Sequence, residues 1–503
     1  MRTSRVLAWM TVGGLLLAPT ALSAQSYRLR LDTRVQAVKY RGWQLDSIPV
    51  AEAVTGTNGG LFTASGFAVT CVAGGVSCTF YRPGAEQDGL PLVSTLDASV
   101  WGLGVPGLRL YGRARVGTDL ADPGAWPGTA PAVQLVEGYV EYAQPAWSVR
   151  GGRLHEASRF GYTGFDGARA HARFLGGALT ASAYGGWGLA WGTPLPITSD
   201  AVNPLGEFRP GQRQIVVGGD LAWAVRGARG RILYERQIDP GPDHLVAERV
   251  GGDVELSVVR NVTLSGGADY DLAFGEMGSA EATLAVAIPS AKTSVAVGGR
   301  RYRPYFELWS IWGAFSPVAY KAGFGSVTAT PMPKLQLRAR GELYGFDDPD
   351  AATPLAQIED NGWRAGLGAT YRHSADLIVM VDYSIDDGPG AGAIGIDGSV
   401  FWRPIPRLGL RGSVANLQRV LELRFNDADV WIYAFDADVD IRSEARLFGG
   451  VTYYDENRDR PDAAAFSWNQ LRLHAGLRLA FGSGADRASL PAAILRIPEG
   501  GTQ

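Results

Sequence analysis

Residues 107–117 read GLRLYGRARVG. Leu108, Leu110, Gly112, Ala114 and Val116 fall on one side of a two-residue repeat, and Arg109, Tyr111, Arg113 and Arg115 on the other. A period of two is that of an extended strand, whose successive side chains point to opposite faces of the sheet. One face here is apolar. The other carries three guanidinium groups, which are costly to bury without partners. A sheet made of such strands needs an apolar medium against one face and water against the other.

The pattern recurs from near residue 27 to near residue 481. YRLRLDTRVQA (27–37) sets Tyr27, Leu29, Leu31 and Val35 against Arg28, Arg30, Asp32 and Arg34. VEGYVEY (136–142) sets Val136, Val140 and Tyr142 against Glu137, Tyr139 and Glu141. KLQLRARGELYG (334–345) places Arg338, Arg340 and Glu342 opposite Leu335, Leu337 and Leu343. LRLHAGLRLAF (471–481) places Arg472, His474 and Arg478 opposite a row of leucines. The connectors alternate as well. Short ones such as GVPG (104–107), AQPA (143–146), RGARG (226–230) and RPIPR (403–407) are separated by longer polar stretches rich in Gly, Pro and Asp, at 118–131, 154–167, 190–212, 346–361 and 455–466. Tight turns at one end and long loops at the other describe a meander of antiparallel hairpins, as in outer-membrane barrels. The connectors delimit about 22 strands, to within two. A series this long is best relieved of its edges by closure. The expected fold is all-β: a closed antiparallel up-and-down transmembrane barrel with short periplasmic turns and long extracellular loops. Aromatics such as Tyr142 and Trp147, at strand ends on the apolar face, fit the lipid interface.

The chain has 503 residues, 46% hydrophobic and 19% charged, with a net charge of −3. That balance gives no general case for nucleic acid. Of its 47 basic residues only Lys39, Lys292, Lys321 and Lys334 are lysine. A GC-rich genome accounts for this as well as a wall of fixed guanidinium forks would. The segment 1–24 reads as a signal peptide: Arg2 and Arg5, an apolar run, then ALSAQS with cleavage after Ala24. The barrel is expected over 25–482 and a periplasmic tail over 483–503. Cys71 and Cys78 are the two cysteines. In an exported chain a disulfide closing a small external hairpin is the expectation, with a reduced pair as the alternative.

The architecture resembles Gram-negative outer-membrane barrels, porins in particular. A closer echo lies in residues 136–174, similar to a hairpin of alginate-export-type and other substrate-selective porins. There an acidic "YVE" strand, an arginine-rich "RxGR" strand and an "FDG" follow in this order. The matching positions are Tyr139 to Glu141, Arg150 to Arg153 and Phe165 to Gly167. The resemblance implies a channel but no particular substrate. Such barrels end on an aromatic, whereas here Phe481 is followed by 22 residues.

No enzyme is expected. The five histidines are scattered, the serines lack a G-x-S-x-G elbow, and no cofactor motif is present. The candidate functional residues are charges of pore-lining parity. The basic set is Arg28, Arg30, Arg34, Arg109, Arg113, Arg115, Arg169, Arg173, Arg338, Arg340, Arg472 and Arg478. The acidic set is Glu137, Glu141, Asp253, Glu255, Asp269, Asp271, Asp436 and Asp438. Closure would gather many of the arginines into one arc, with Asp253, Glu255, Asp269 and Asp271 across the lumen. The plainer reading is that these charges pair with neighbours and keep the wall wet. The leading expectation is a passive channel for small hydrophilic solutes, embedded in outer-membrane lipid. The alternative is a barrel sheathing a protein partner in export or electron transfer, since wide barrels are commonly filled. The apolar stretch 301–317, with Phe306, Trp309, Trp312 and Phe315, is expected to constrict the lumen or dock such a partner.

Overall fold

The period-two segments pair with their sequence neighbours, and the last returns to the first. In a computed structural model, the described residues are 26–56, 60–72, 74–121, 132–189, 214–239, 244–303, 319–347, 361–388, 391–418, 428–458 and 467–483. They form a closed antiparallel barrel of 22 strands. The seam joins the first strand, Ser26–Pro49, to the last, Trp468–Gly482, in register from Arg28 opposite Gly482 to Ala37 opposite Leu473. Both described ends of the chain lie at one end of the barrel, where the connections are all short, among them those after Trp101, Ala143, Phe174, Val225 and Ile288. The long connections leave from the other.

Parity is preserved from strand to strand. Starting at Asp253, the register leads through Arg231, Ala222, Thr180 and onward, and one face stays one face around the whole ring. The opposite face carries large apolar side chains left open: Leu110, Leu221, Ile232, Val254, Leu264, Val297, Val327, Leu367, Val381 and Leu473 are all exposed. Toward the short turns this belt ends in Trp147, Phe174, Tyr371, Trp402 and Phe481, and toward the long loops in Trp187, Tyr234, Tyr270, Trp363, Tyr383, Tyr433 and Tyr453. An apolar band between two aromatic girdles is the surface a bilayer solvates.

The first strand is longer than the wall is tall. At Val38 it leaves the barrel and pairs instead with Ser77–Gly89, making a two-stranded arm. Twelve residues at about 3.3 Å each give the arm a reach of roughly 40 Å. Arg41 and Lys39 both hold Glu86, keeping its carboxyl below the usual range, Arg41 foremost. At the tip Cys71 and Cys78 form the expected disulfide, seven positions apart on paired strands. Because the arm stands clear of the wall, reduction should loosen its tip and leave the barrel folded. Thiol alkylation of the unreduced protein should label neither cysteine. Labelling of both without reductant would contradict the bridge.

The expected long connector over 154–167 is absent. The strands Trp147–Ser158 and Gly161–Phe174 continue through it and are joined by a two-residue turn, Arg159–Phe160. The stretch 301–317 lies outside the described residues except at its first three positions, as do the segment 1–24 and all but Ser483 of the 483–503 tail.

Candidate functional site

The hairpin 147–174 turns inward. Its first strand pairs with the preceding strand, Val133–Ala143, only from Ala143 opposite Ser148 to Gly138 opposite Arg153. It departs next to Gly152, at φ 142°, where an added Cβ would run into the Gly138 carbonyl. A glycine is required at such a close approach with positive φ. Arg153 then staples the two strands with a two-pronged pair to Asp166, at 2.7 and 3.0 Å, and gives a third hydrogen bond to the Leu135 carbonyl. The "RxGR" and "FDG" segments thus build the root of the hairpin.

Both faces of the hairpin lie against the inside of the wall. On one, Phe165 is fully buried and stacks on Tyr184, Thr163 donates to Glu235, and Leu154 and Glu156 are buried. On the other, His155 stacks on Tyr162 and its Nε2 lies 2.6 Å from the Val136 carbonyl oxygen. The tip reaches strands four to six positions around the ring. Arg159 pairs with Asp253 at 2.7 Å and Glu281 at 2.8 Å, donates to Ser279 at 3.0 Å, and lies 3.9 Å from Asp269. Arg249 donates to the Phe160 carbonyl and sits over the Phe160 ring. The wall makes room for the tip with glycine. A Cβ at Gly267 would overlap the Arg159 guanidinium, and one at Gly251 would meet the Phe160 ring at 3.0 Å. Only through the interior can a hairpin touch strands so distant, so the face it touches is the inner one.

That assignment places every candidate charge. All twelve arginines and all eight acids anticipated from the sequence lie on the inner face, carried there by the register. Their pairing departs from two opposed arcs. Asp253 and Asp269, expected to face the arginine arc across water, are met by Arg159, which crosses the lumen to them. Asp271 accepts from the backbone N–H groups of Ala273 and Phe274 and so shapes a turn. Glu255 pairs with Arg229, Glu141 with Arg150, Arg169 with Glu156, Arg478 with Asp32, and Arg338 with Asp382. Asp438 lies 3.8 Å from Arg446, and Asp436 is 3.4 Å from His474. Arg113 lies 3.5 Å from Asp97, Arg109 donates to Ser99, and Arg472 donates to Gln470. Glu137 stands opposite Arg113 in the register. Arg28 and Arg30 flank Asp97 on the first strand, opposite Ser99 and Asp97 themselves. Arg340 lines the wall between the Arg338–Asp382 pair and the Arg300–Glu342–Arg364–Asp386 chain.

Exposure divides the lumen in two. Under the hairpin the side chains of Glu235, Glu156 and Arg249 are 2, 7 and 9% exposed. On the remaining wall those of Arg113, Asp382, Asp32 and Asp436 are 40–49% exposed, while those of Arg446 and Glu342, within ion-pair clusters, are 9 and 13% exposed. The hairpin crosses the lumen and covers part of the wall formed by Leu179–Gly188, Ile215–Val225 and Ala228–Asp239, where Val216, Leu233 and Glu235 are buried, while Arg229, toward the short turns, stays exposed. A closed barrel with an apolar belt, two aromatic girdles and a wet, charged interior decides the class.

The fold is that of a porin-like outer-membrane β-barrel. No family model and no curated protein matches the sequence. The chain is similar to several solved structures. A BenF-like porin from Pseudomonas fluorescens Pf-5 is 13% identical, with 91% of this chain and 99% of that one covered and a TM-score of 0.38. OccK2 (OpdF) of Pseudomonas aeruginosa, solved with glucuronate, is 10% identical over 91% and 99%, with a TM-score of 0.39. The siderophore receptor PirA of Pseudomonas aeruginosa is 9% identical over 90% and 80%, with a TM-score of 0.43.

Arg159 and Phe160 were not among the residues singled out in the sequence. The available signal was the pair of glycines in VGGD (250–253) and SGGAD (265–269), at inner-face positions of two adjacent strands, where small residues leave space for something to dock.

Proposed function

We propose that the protein is a passive channel of the bacterial outer membrane for small hydrophilic solutes, narrowed by its own inward hairpin. The observation that carries this is the half-exposed state of inner-face charges such as Arg113, Asp32, Asp382 and Asp436 away from the hairpin: partnered, yet open to the lumen. A wall of alternating Arg and Asp or Glu orders water and favours polar solutes over apolar ones. With both signs interleaved, bulk preference between small anions and cations should be slight. The hairpin also bears on the sheath reading, since it occupies cross-section that a threaded protein would need. No chemistry beyond passage is assigned to the barrel, and no enzyme activity.

Purified protein in a planar bilayer should give stable, ohmic single-channel steps in potassium chloride, with a cation-to-anion permeability ratio within a few-fold of unity. Correctly inserted barrels that conduct no ions would refute the channel.

A further inference from the structure

Beneath the hairpin, at the short-turn end of the lumen, lies a cavity of about 300 Å³ lined by Ser148, Arg150, Arg169, His171, Arg173 and Glu141. Leu154 and Glu156 follow Arg150 along the same face of the same strand and are buried, and Glu156 pairs with Arg169 at 2.7 Å across the roof. The cavity is a half-open recess at the short-turn rim of the lumen, bordered there by Gln144 and Trp147.

Its charge is lopsided. Arg150 is matched by Glu141 at 2.8 Å and Arg169 by Glu156. Arg173 takes no ion-pair partner among the described residues, and His171 stands between Arg169 and Arg173 on the same face of one strand, opposite Ser148 and Ser182. The recess thus offers the exposed guanidinium fork of Arg173, an imidazole and a hydroxyl around a space of small-molecule size. A fork of parallel N–H donors matches the two oxygens of a planar or tetrahedral oxyanion, and charge-assisted bonds are the strong ones.

Resting on the channel reading for its supply of solute, we propose that this recess is a binding site for a small oxyanion, a carboxylate or a phosphoryl group, entered from the short-turn side.

The test is calorimetric titration of the intact detergent-solubilised barrel with sodium succinate and, separately, with sodium phosphate, each against sodium chloride of equal ionic strength. Saturable binding of at least one is expected; succinate alone identifies a carboxylate ligand, phosphate alone a phosphoryl one. Arg173→Ala with His171→Ala should weaken it about tenfold or more, the equivalent of losing one charge-assisted hydrogen bond. Arg340→Ala on the open wall should leave it unchanged, and intact folding is read from the heat-dependent gel shift of each variant. Absence of saturation by either anion, or equal affinity in the double variant, overturns the site. Conductance is recorded on the same preparations. Conduction without binding refutes the recess and leaves the channel; binding without conduction refutes the channel and leaves the recess.

Discussion

Replacing residues 154–164 with a short glycine link raises single-channel conductance severalfold and leaves the barrel inserted. Beyond the Arg153–Asp166 staple the hairpin keeps ladder contact with the ring only at Phe165, opposite Gly188, and at the Gly164 carbonyl, which accepts from Leu189, so the ring survives its loss. The part of the wall it covers would open to water. Removal uncovers Val216 and Leu233 but also Glu235, Gln237 and Arg249, which hydrate readily once the cover is gone. A milder change should work in the same direction. Arg159→Glu sets a fourth carboxylate against Asp253, Asp269 and Glu281. The Asp253 and Glu281 carboxylates are half exposed, so losing the attraction alone costs about 1 kcal/mol each, shifting the docked tip toward release by roughly tenfold or more. Conductance should then flicker between the normal and the enlarged level. A deletion variant with unchanged conductance would show that the hairpin does not bound the path.

The second large effect separates inside from outside. Leu108, Leu110 and Val116 share a strand with Arg109, Arg113 and Arg115, one residue out of phase. Changing the three apolar residues to Arg puts charges into lipid at about 2–4 kcal/mol each near the midplane. That total rivals the stability of an ordinary domain, about 5–15 kcal/mol, so insertion should be abolished. Changing Arg109, Arg113 and Arg115 to Glu should leave insertion intact, because those side chains stand in water. Selectivity should move toward cations. The folded fraction is read from the heat-dependent gel shift. An arginine triple variant that fails to insert while the leucine variant inserts normally would reverse the two faces.

Most of the architecture was legible because a lipid-facing strand cannot hide. One face must be apolar and the other wet, so Leu108–Asp119 or Trp468–Gly482 announces itself by alternation alone. The same physics explains what was misread. Residues 153–164 belong to strands whose two faces both lie against the inner wall, so neither is required to be apolar. Leu154, Glu156 and Thr163 on one face and Arg153, His155 and Tyr162 on the other give no period, and the stretch reads as a polar loop. The charge layout was legible only in part. Parity set Asp253 and Asp269 on one face of their strands, but nothing local could reveal Arg159, 94 residues earlier, reaching Asp253. The pairing of Arg150 with Glu141 needed only adjacent strands and was within reach of the sequence.

The central claim is a water-filled path along the wall carrying Arg340, outside the part the hairpin covers. The direct measurement is block by a water-soluble, cationic methanethiosulfonate added to single-cysteine variants in a bilayer, with Cys71 and Cys78 already bridged. Arg340→Cys should react promptly and its conductance should fall in a step, while Glu235→Cys behind the hairpin and Leu337→Cys on the belt should not respond. A silent Arg340→Cys together with a reactive Leu337→Cys would contradict the account.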